Sequence, residues 1–169
     1  LLENVCPRHV ATVTSVLREA GCRIGETGDR LHISSERRLN AVHPVRTMPY
    51  PGFPTDAQSP VMAVMATADG ATVFIENIFE NRYRHVGELM RMGADIRTEG
   101  RVAVVFGVPR LHGAEVEATD LRGGAALIIA ALGAEGRTVI RRGKHIERGY
   151  EQIEKALGGI GADIEFQEG

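Results

Sequence analysis

Residues 55–70 read TDAQSPVMAVMATADG, and residues 119–136 read TDLRGGAALIIAALGAEG. Each opens on Thr-Asp and runs into a stretch rich in alanine and large apolar side chains, and the two aspartates stand 64 residues apart. A β-branched strand pattern follows each, ATVFIE at 71–76 and RTVIRR at 137–142. An amphipathic helix pattern comes next, ENRYRHVGELMRMG at 80–93 and IERGYEQIEKALGG at 146–159. Both units close on Gly-Ala-Asp-Ile, at 93–96 and 161–164, which should lead into another strand. Self-similarity at a fixed period marks a repeat architecture. A shorter copy comes earlier: CPRHVATVTSVLREAGCRI at 6–24 matches the second helix and the strand after it, with Gly21 in the place of Gly93.

The two helices of each unit differ in character, and that difference predicts architecture. Those after Asp56 and Asp120 are apolar nearly all round, as a helix buried on every side must be. The others carry one stripe, Val86-Leu89-Met90 or Ile146-Tyr150-Ile153-Leu157, and should keep a solvated face. Asp56 and Asp120 stand where helix N-caps belong, and Gly21 and Gly93 where C′ glycines belong. Pro60, four residues beyond the first cap, should tighten or irregularise the first turn. The pattern predicts an α/β (α+β) fold of strand–helix units in a three-fold arrangement, with buried helices inside and sheets outside. No linker-like stretch interrupts it, so one domain is expected over 1–169: a partial repeat at 1–48, then repeats at 49–117 and 118–169.

Composition narrows the class. At 43% apolar and 25% charged residues the chain is ordinary globular material. Its net charge of −2 gives no basic excess for nucleic acid or an anionic membrane. Of the twenty basic residues only Lys144 and Lys155 are lysines, a bias that fits either base composition or oxyanion binding. No apolar run approaches the roughly 20 residues a membrane helix needs, and LLENVCPRHV has no signal-peptide pattern. A soluble cytoplasmic protein is the expectation. Cys6 and Cys22 flank a helical pattern whose ends lie too far apart for a disulfide. Cys6, before Pro7, could be a reactive thiol at a helix start, but a small structural cysteine is the simpler reading. The six histidines show no paired spacing for a metal, and none is expected.

Two constellations point to chemistry. PYPGFP at 49–54 stiffens the backbone just before Asp56, as a positioned base or hydroxyl acceptor requires. The plainer alternative is that Asp56 only caps its helix. Arg82 and Arg148 fall at matching places in the two units, in the first turn of the amphipathic helix, and Arg122 follows Asp120 by two. Arginines beside helix N-termini suit phosphate or carboxylate, since guanidinium forks and orphan N–H groups converge there. Gly123-Gly124 should let the buried helix approach a neighbour closely or leave room for a ligand. Gly158-Gly-Ile-Gly161 follows a helix rather than a strand and lacks the lysine of a phosphate loop.

PGFPTDAQ at 51–58, ENIFENRYRHVGELMRMGAD at 76–95, ATDLR at 118–122 and HIERGYEQIEKALGGIGADIE at 145–165 closely resemble the UDP-N-acetylglucosamine 1-carboxyvinyltransferase family of enolpyruvyl transferases. The resemblance runs the whole chain. It implies an inside-out α/β barrel and the C-terminal part of a two-domain protein, whose N-terminal domain is a partner the site needs. It implies transfer of the enolpyruvyl group of phosphoenolpyruvate to the 3-hydroxyl of UDP-N-acetylglucosamine, the first committed step of peptidoglycan synthesis, without a cofactor. By motif, Asp56 would contact the sugar hydroxyl as base. Ile78 and Phe79 would lie against the nucleotide sugar, and Arg148 would grip phosphoenolpyruvate. Arg82, Asp120 and Arg122 would complete the pocket. The family's loop cysteine has no counterpart: Cys6 and Cys22 do not match it. Gly123-Gly124 and Pro60 depart from the family pattern. Two other readings are 3-phosphoshikimate 1-carboxyvinyltransferase, with the same fold and chemistry, and a non-catalytic binding or regulatory relative. An in-frame half with a loop cysteine upstream of Leu1 would exclude the last.

Overall fold

The computed structural model describes residues 1–167. A 3-10 turn at Pro7–Val10 leads into α1 (Ala11–Glu19), which ends at Gly21 with φ +107°, a backbone state glycine enters without strain. The hairpin β1 (Arg23–Thr27) and β2 (Arg30–Ser34) follows. Next come β3 (Val45–Arg46), α2 (Thr55–Met65), β4 (Ala71–Ile75), α3 (Val86–Arg91), β5 (Asp95–Glu99) and β6 (Val102–Phe106). The chain continues through β7 (Glu115–Glu117), α4 (Leu121–Leu132), β8 (Val139–Arg141), α5 (Lys144–Glu147) and α6 (Ile153–Gly158).

The repeat is visible in this order. β3 and β4 are parallel with α2 as the crossover, and β7 and β8 are parallel with α4 as the crossover. Each βαβ unit thus takes its first strand from just before positions 49 and 118. After α3, Gly93 turns the chain at φ +94° into the antiparallel pair β5–β6. Helix α1, Gly21 and the pair β1–β2 repeat that arrangement at the start of the chain, as the shortened copy predicts.

Helices α2 and α4 pack against one another. Val61, Met62, Ala63 and Met65 of α2 are buried, and so is the run from Gly123 to Ile128 of α4. Alternation in the four-stranded sheet, ordered β3–β4–β6–β5, sends Phe74, Ala103, Val105 and Ile96 into the same core. Burying one such large side chain contributes about 1.5–3 kcal/mol, so this layer is what holds the units together. The result is a mixed α/β fold of repeated strand–helix units with the apolar helices inside. The sheets β1–β2, β3–β4–β6–β5 and β7–β8 do not join into a closed barrel among the described residues. No helix there is long and apolar enough to cross a membrane.

Several local expectations need correcting. The helix expected at 80–93 is only α3, because Asn81 sits at φ +55° and residues 80–85 form turns. The helix expected at 146–159 divides into α5 and α6, separated by Gln152 at φ +47°. A left-handed residue cannot continue a right-handed helix. Arg82 therefore precedes its helix, and Arg148 is the C-cap of α5 rather than part of a first turn. Ala162–Ile164 does not start a strand, whereas Asp95–Glu99 does by pairing with β6. Helix α2 runs through Pro60.

Candidate functional site

At the N-terminal end of α2 the stiff loop places Pro54 at the N-cap and moves Asp56 to the second helical position. The capping reading of Asp56 is wrong: α2 receives no side-chain cap. The Asp56 carboxylate is instead held by two guanidinium groups. Arg82 Nη2 donates to Oδ1 at 2.7 Å, and Arg122 Nη2 donates to Oδ2 at 2.9 Å. Partial burial opposes ionisation of Asp56. The hydrogen bond and charge of Arg122, joined by those of Arg82, outweigh it and hold the carboxyl below its ordinary value.

Asp120 does cap α4. Its Oδ1 accepts from the backbone N–H of Arg122 at 2.9 Å and of Gly123 at 2.8 Å. That places the Arg122 side chain at the mouth of the helix pair, where Nη1 donates to the Tyr150 hydroxyl at 2.8 Å and the guanidinium lies 5.6 Å from the Tyr150 ring centre. Arg82 lies 5.4 Å from the Phe79 ring centre, and its buried Nε has no partner among the described residues. Five of the expected residues, Asp56, Phe79, Arg82, Asp120 and Arg122, are thereby joined around the N-terminal ends of α2 and α4. Ile78 adjoins Phe79 in the turn after β4. Arg148 is exposed and outside these contacts, though Tyr150, two residues on, touches Arg122.

Close packing explains the glycine pair. A Cβ on Gly123 would come within 2.8 Å of Thr119 Oγ1, and one on Gly124 within 2.5 Å of Ile146 Cγ1. Close approach, not ligand space, is what these glycines provide. Two buried polar residues escaped the sequence reading. His85 is fully buried beside Gly123, neither ring nitrogen has a partner among the described residues, and burial pushes its pKa down to about 4. Glu76, at the end of the strand pattern, is also fully buried. Among the described residues no group of three His, Cys, Asp or Glu side chains is placed to hold a metal. An open groove of about 600 Å³ lies at the opposite ends of α2 and α4, lined by Leu39, Val64, Thr67, Ile129 and Gly133, away from this charge cluster.

With two parallel apolar helices presenting an Asp–Arg–Arg cluster, the comparisons decide the family. The family model of EPSP synthase (3-phosphoshikimate 1-carboxyvinyltransferase) matches residues 1–157. The chain belongs to the enolpyruvyl (1-carboxyvinyl) transferase family. It is 49% identical to UDP-N-acetylglucosamine 1-carboxyvinyltransferase 3 of Symbiobacterium thermophilum over 98% of this chain and 39% of that protein. It is 52% identical to UDP-N-acetylglucosamine 1-carboxyvinyltransferase of Desulfofundulus thermocisternus over 97% of this chain and 67% of that one. The crystal structure of the enolpyruvyl transferase NikO from Streptomyces tendae superposes with a TM-score of 0.83 at 30% identity, covering 92% of this chain and 36% of its own. EPSP synthase from Acinetobacter baumannii, at 18% identity and TM-score 0.69, shares the fold. This enolpyruvyl transferase chain therefore spans about two-fifths of the Symbiobacterium relative's length.

Proposed function

We propose that the protein containing this chain transfers the enolpyruvyl group of phosphoenolpyruvate to the 3-hydroxyl of UDP-N-acetylglucosamine and releases phosphate, the first committed step of peptidoglycan synthesis. The reading is supported above all by the Asp56 carboxylate set between Arg82 and Arg122, in a chain about half identical to relatives named UDP-N-acetylglucosamine 1-carboxyvinyltransferase. It carries with it a cytoplasmic location. It also carries the finer architecture: residues 1–169 form one domain of an inside-out α/β barrel, the C-terminal part of a two-domain enzyme, and the N-terminal domain completes the active site.

The sugar oxygen must add to C2 of phosphoenolpyruvate while the methylene carbon takes a proton. Loss of phosphate and of a methyl proton then restores the double bond. Addition needs a base at the hydroxyl and cations around the carboxylate and phosphate. Clamped by two arginines, Asp56 is a weak base. An arriving carboxylate and phosphate compete for the same guanidinium forks. As Arg82 and Arg122 turn to the anions, Asp56 is freed, and its basicity rises when substrate is in place. Arg148 grips phosphoenolpyruvate, Ile78 and Phe79 lie against the nucleotide sugar, and Asp120 keeps Arg122 at the helix mouth. Incubating the full-length protein with phosphoenolpyruvate and following phosphate release tests this. Release that depends on UDP-N-acetylglucosamine is expected; release that depends on shikimate 3-phosphate instead overturns the assignment.

A further inference from the structure

A carboxylate withdrawn from water is costly unless donors surround it. Glu76 is only 1% exposed, and no cation pairs with it among the described residues. Its Oε1 accepts from Thr47 Oγ1 at 2.9 Å, from the Ile78 N–H at 2.8 Å and from the Phe79 N–H at 3.0 Å. Its Oε2 accepts from Thr55 Oγ1 at 2.9 Å and from Gln58 Nε2 at 3.3 Å. These donors come from three separate segments: the end of β3, the first turn of α2, and the turn after β4. Thr47 Oγ1 also accepts from the Asn77 N–H at 2.8 Å, which ties the first segment to the third a second time. Thr55 precedes Asp56, and Ile78 and Phe79 form the apolar wall next to Arg82. The carboxyl group is thus the point where the loop that carries the acid meets the turn that carries the wall.

We propose that Glu76 is a positioning residue: through its two oxygens it fixes Asp56 relative to Ile78 and Phe79, and so sets where the acceptor sugar sits against the base. This rests on the functional reading above. Misplacing a reacting group by about 1 Å can cost on the order of 10²-fold in rate, so the anchor should be felt in kinetics as well as in folding. The hydrogen-bond pattern also says which replacement restores it. In Glu76→Gln the amide oxygen can still accept from Thr47, Ile78 and Phe79. The amide nitrogen then faces Thr55 Oγ1 and Gln58, whose Oε1 is buried without a partner among the described residues and can turn to accept.

The test uses the full-length protein with three variants. In Glu76→Ala the KM for UDP-N-acetylglucosamine should rise and kcat fall, each by about tenfold or more, with the KM for phosphoenolpyruvate within about twofold. Glu76→Gln should recover to within about threefold of the unaltered protein. Thr55→Val removes one donor without emptying the site, and should lower kcat by about tenfold through Asp56. Amide exchange without substrates is read alongside: the Ile78 and Phe79 N–H groups should exchange about tenfold faster in Glu76→Ala, relative to Leu127 in α4, and return in Glu76→Gln. Unchanged kinetics in a folded Glu76→Ala, a Gln variant as damaged as Ala, or an unaffected kcat in Thr55→Val overturns the proposal. If the unaltered protein makes no product from UDP-N-acetylglucosamine, the functional reading has failed. Exchange then decides on the anchor alone, and unchanged Ile78 and Phe79 amides overturn it.

Discussion

Asp120 gives one oxygen to the first backbone N–H groups of α4, while Asp56, at the matching place in the earlier unit, gives both oxygens to arginines. The Thr-Asp pattern alone cannot separate these roles, since either residue type and position suit a cap. The separation comes from Pro54, which takes the N-cap and shifts Asp56 two positions inward. Asp56→Asn should therefore leave stability within about 1 kcal/mol, the scale of exposed ion pairs, and lower kcat by about 10²–10⁴-fold if Asp56 is the base. Near-normal turnover in steady-state kinetics would remove it from the mechanism. Arg148→Ala should raise the KM for phosphoenolpyruvate roughly 10–150-fold, with the nucleotide-sugar KM little changed. His85 sets a pH dependence of its own. Burial lowers its pKa to about 4 in the folded chain, against an ordinary 6.5, so between those values the unfolded chain binds a proton that the folded one refuses. Stability must then fall as pH drops through that window, by on the order of 3 kcal/mol in total. The Asp56 contribution has the same sign but is lost at lower pH, as its depressed carboxyl takes up a proton. Urea midpoints from pH 7 to 4.5 should fall in the unaltered protein and flatten in His85→Leu; parallel curves would contradict the assignment.

Between the two helices of each unit, only the buried one could be read from the sequence at its true length. The apolar runs after Thr55 and Thr119 became α2 and α4 almost as written, because burial on all sides leaves one solution for an alanine-rich segment. The striped helices came out short, since Asn81 and Gln152 adopt left-handed backbone that no apolar periodicity reveals. Gly149 adds to this, because a Cβ there would meet Leu121 Cδ2 at 2.8 Å. Close packing of this kind makes glycines in one helix neighbourhood behave oppositely. Gly124→Ala drives a methyl toward Ile146 and should destabilise by about 1–3 kcal/mol. At the end of the same helix, Gly133 has φ −101° and its nearest atom, the Ala130 carbonyl oxygen, lies 3.9 Å from where a Cβ would stand. Gly133→Ala should thus stabilise by about 0.4–1 kcal/mol. Denaturant midpoints for the pair decide it, and equal effects would mean that α4 and α5 are less tightly packed than the structure has them.

Across the whole molecule, one apolar cluster runs from Ala20, at the end of α1, through α2, the four-stranded sheet and α3 to Ala130 in α4. A second, smaller cluster gathers α5 and α6 around Ala118, Ile128 and Ile146. The larger one joins Ala20, Val42 and Val45 to the α2–β6 segment and to Ala126, Leu127 and Ala130 of α4, so the strand–helix units share one core. What the repeat pattern could not give is how the proposed site is shielded from water. Asp56, Arg82, Arg122 and Tyr150 lie at one end of the helix pair, partly open to solvent, and Phe79 is 51% exposed beside them. An oxocarbenium-like centre needs water excluded and charge held on every side. A chain near 150 residues buries about 70% of its unfolded surface, enough for a core of its own. The 169-residue chain produced alone should therefore unfold cooperatively in urea, yet release no phosphate from phosphoenolpyruvate and UDP-N-acetylglucosamine. If the proposed N-terminal domain completes the site, adding it as a separately produced protein should restore release. Turnover by the isolated chain would show that the exposed face around Phe79 and Arg122 is already a complete site, and the role proposed for a second domain would fall.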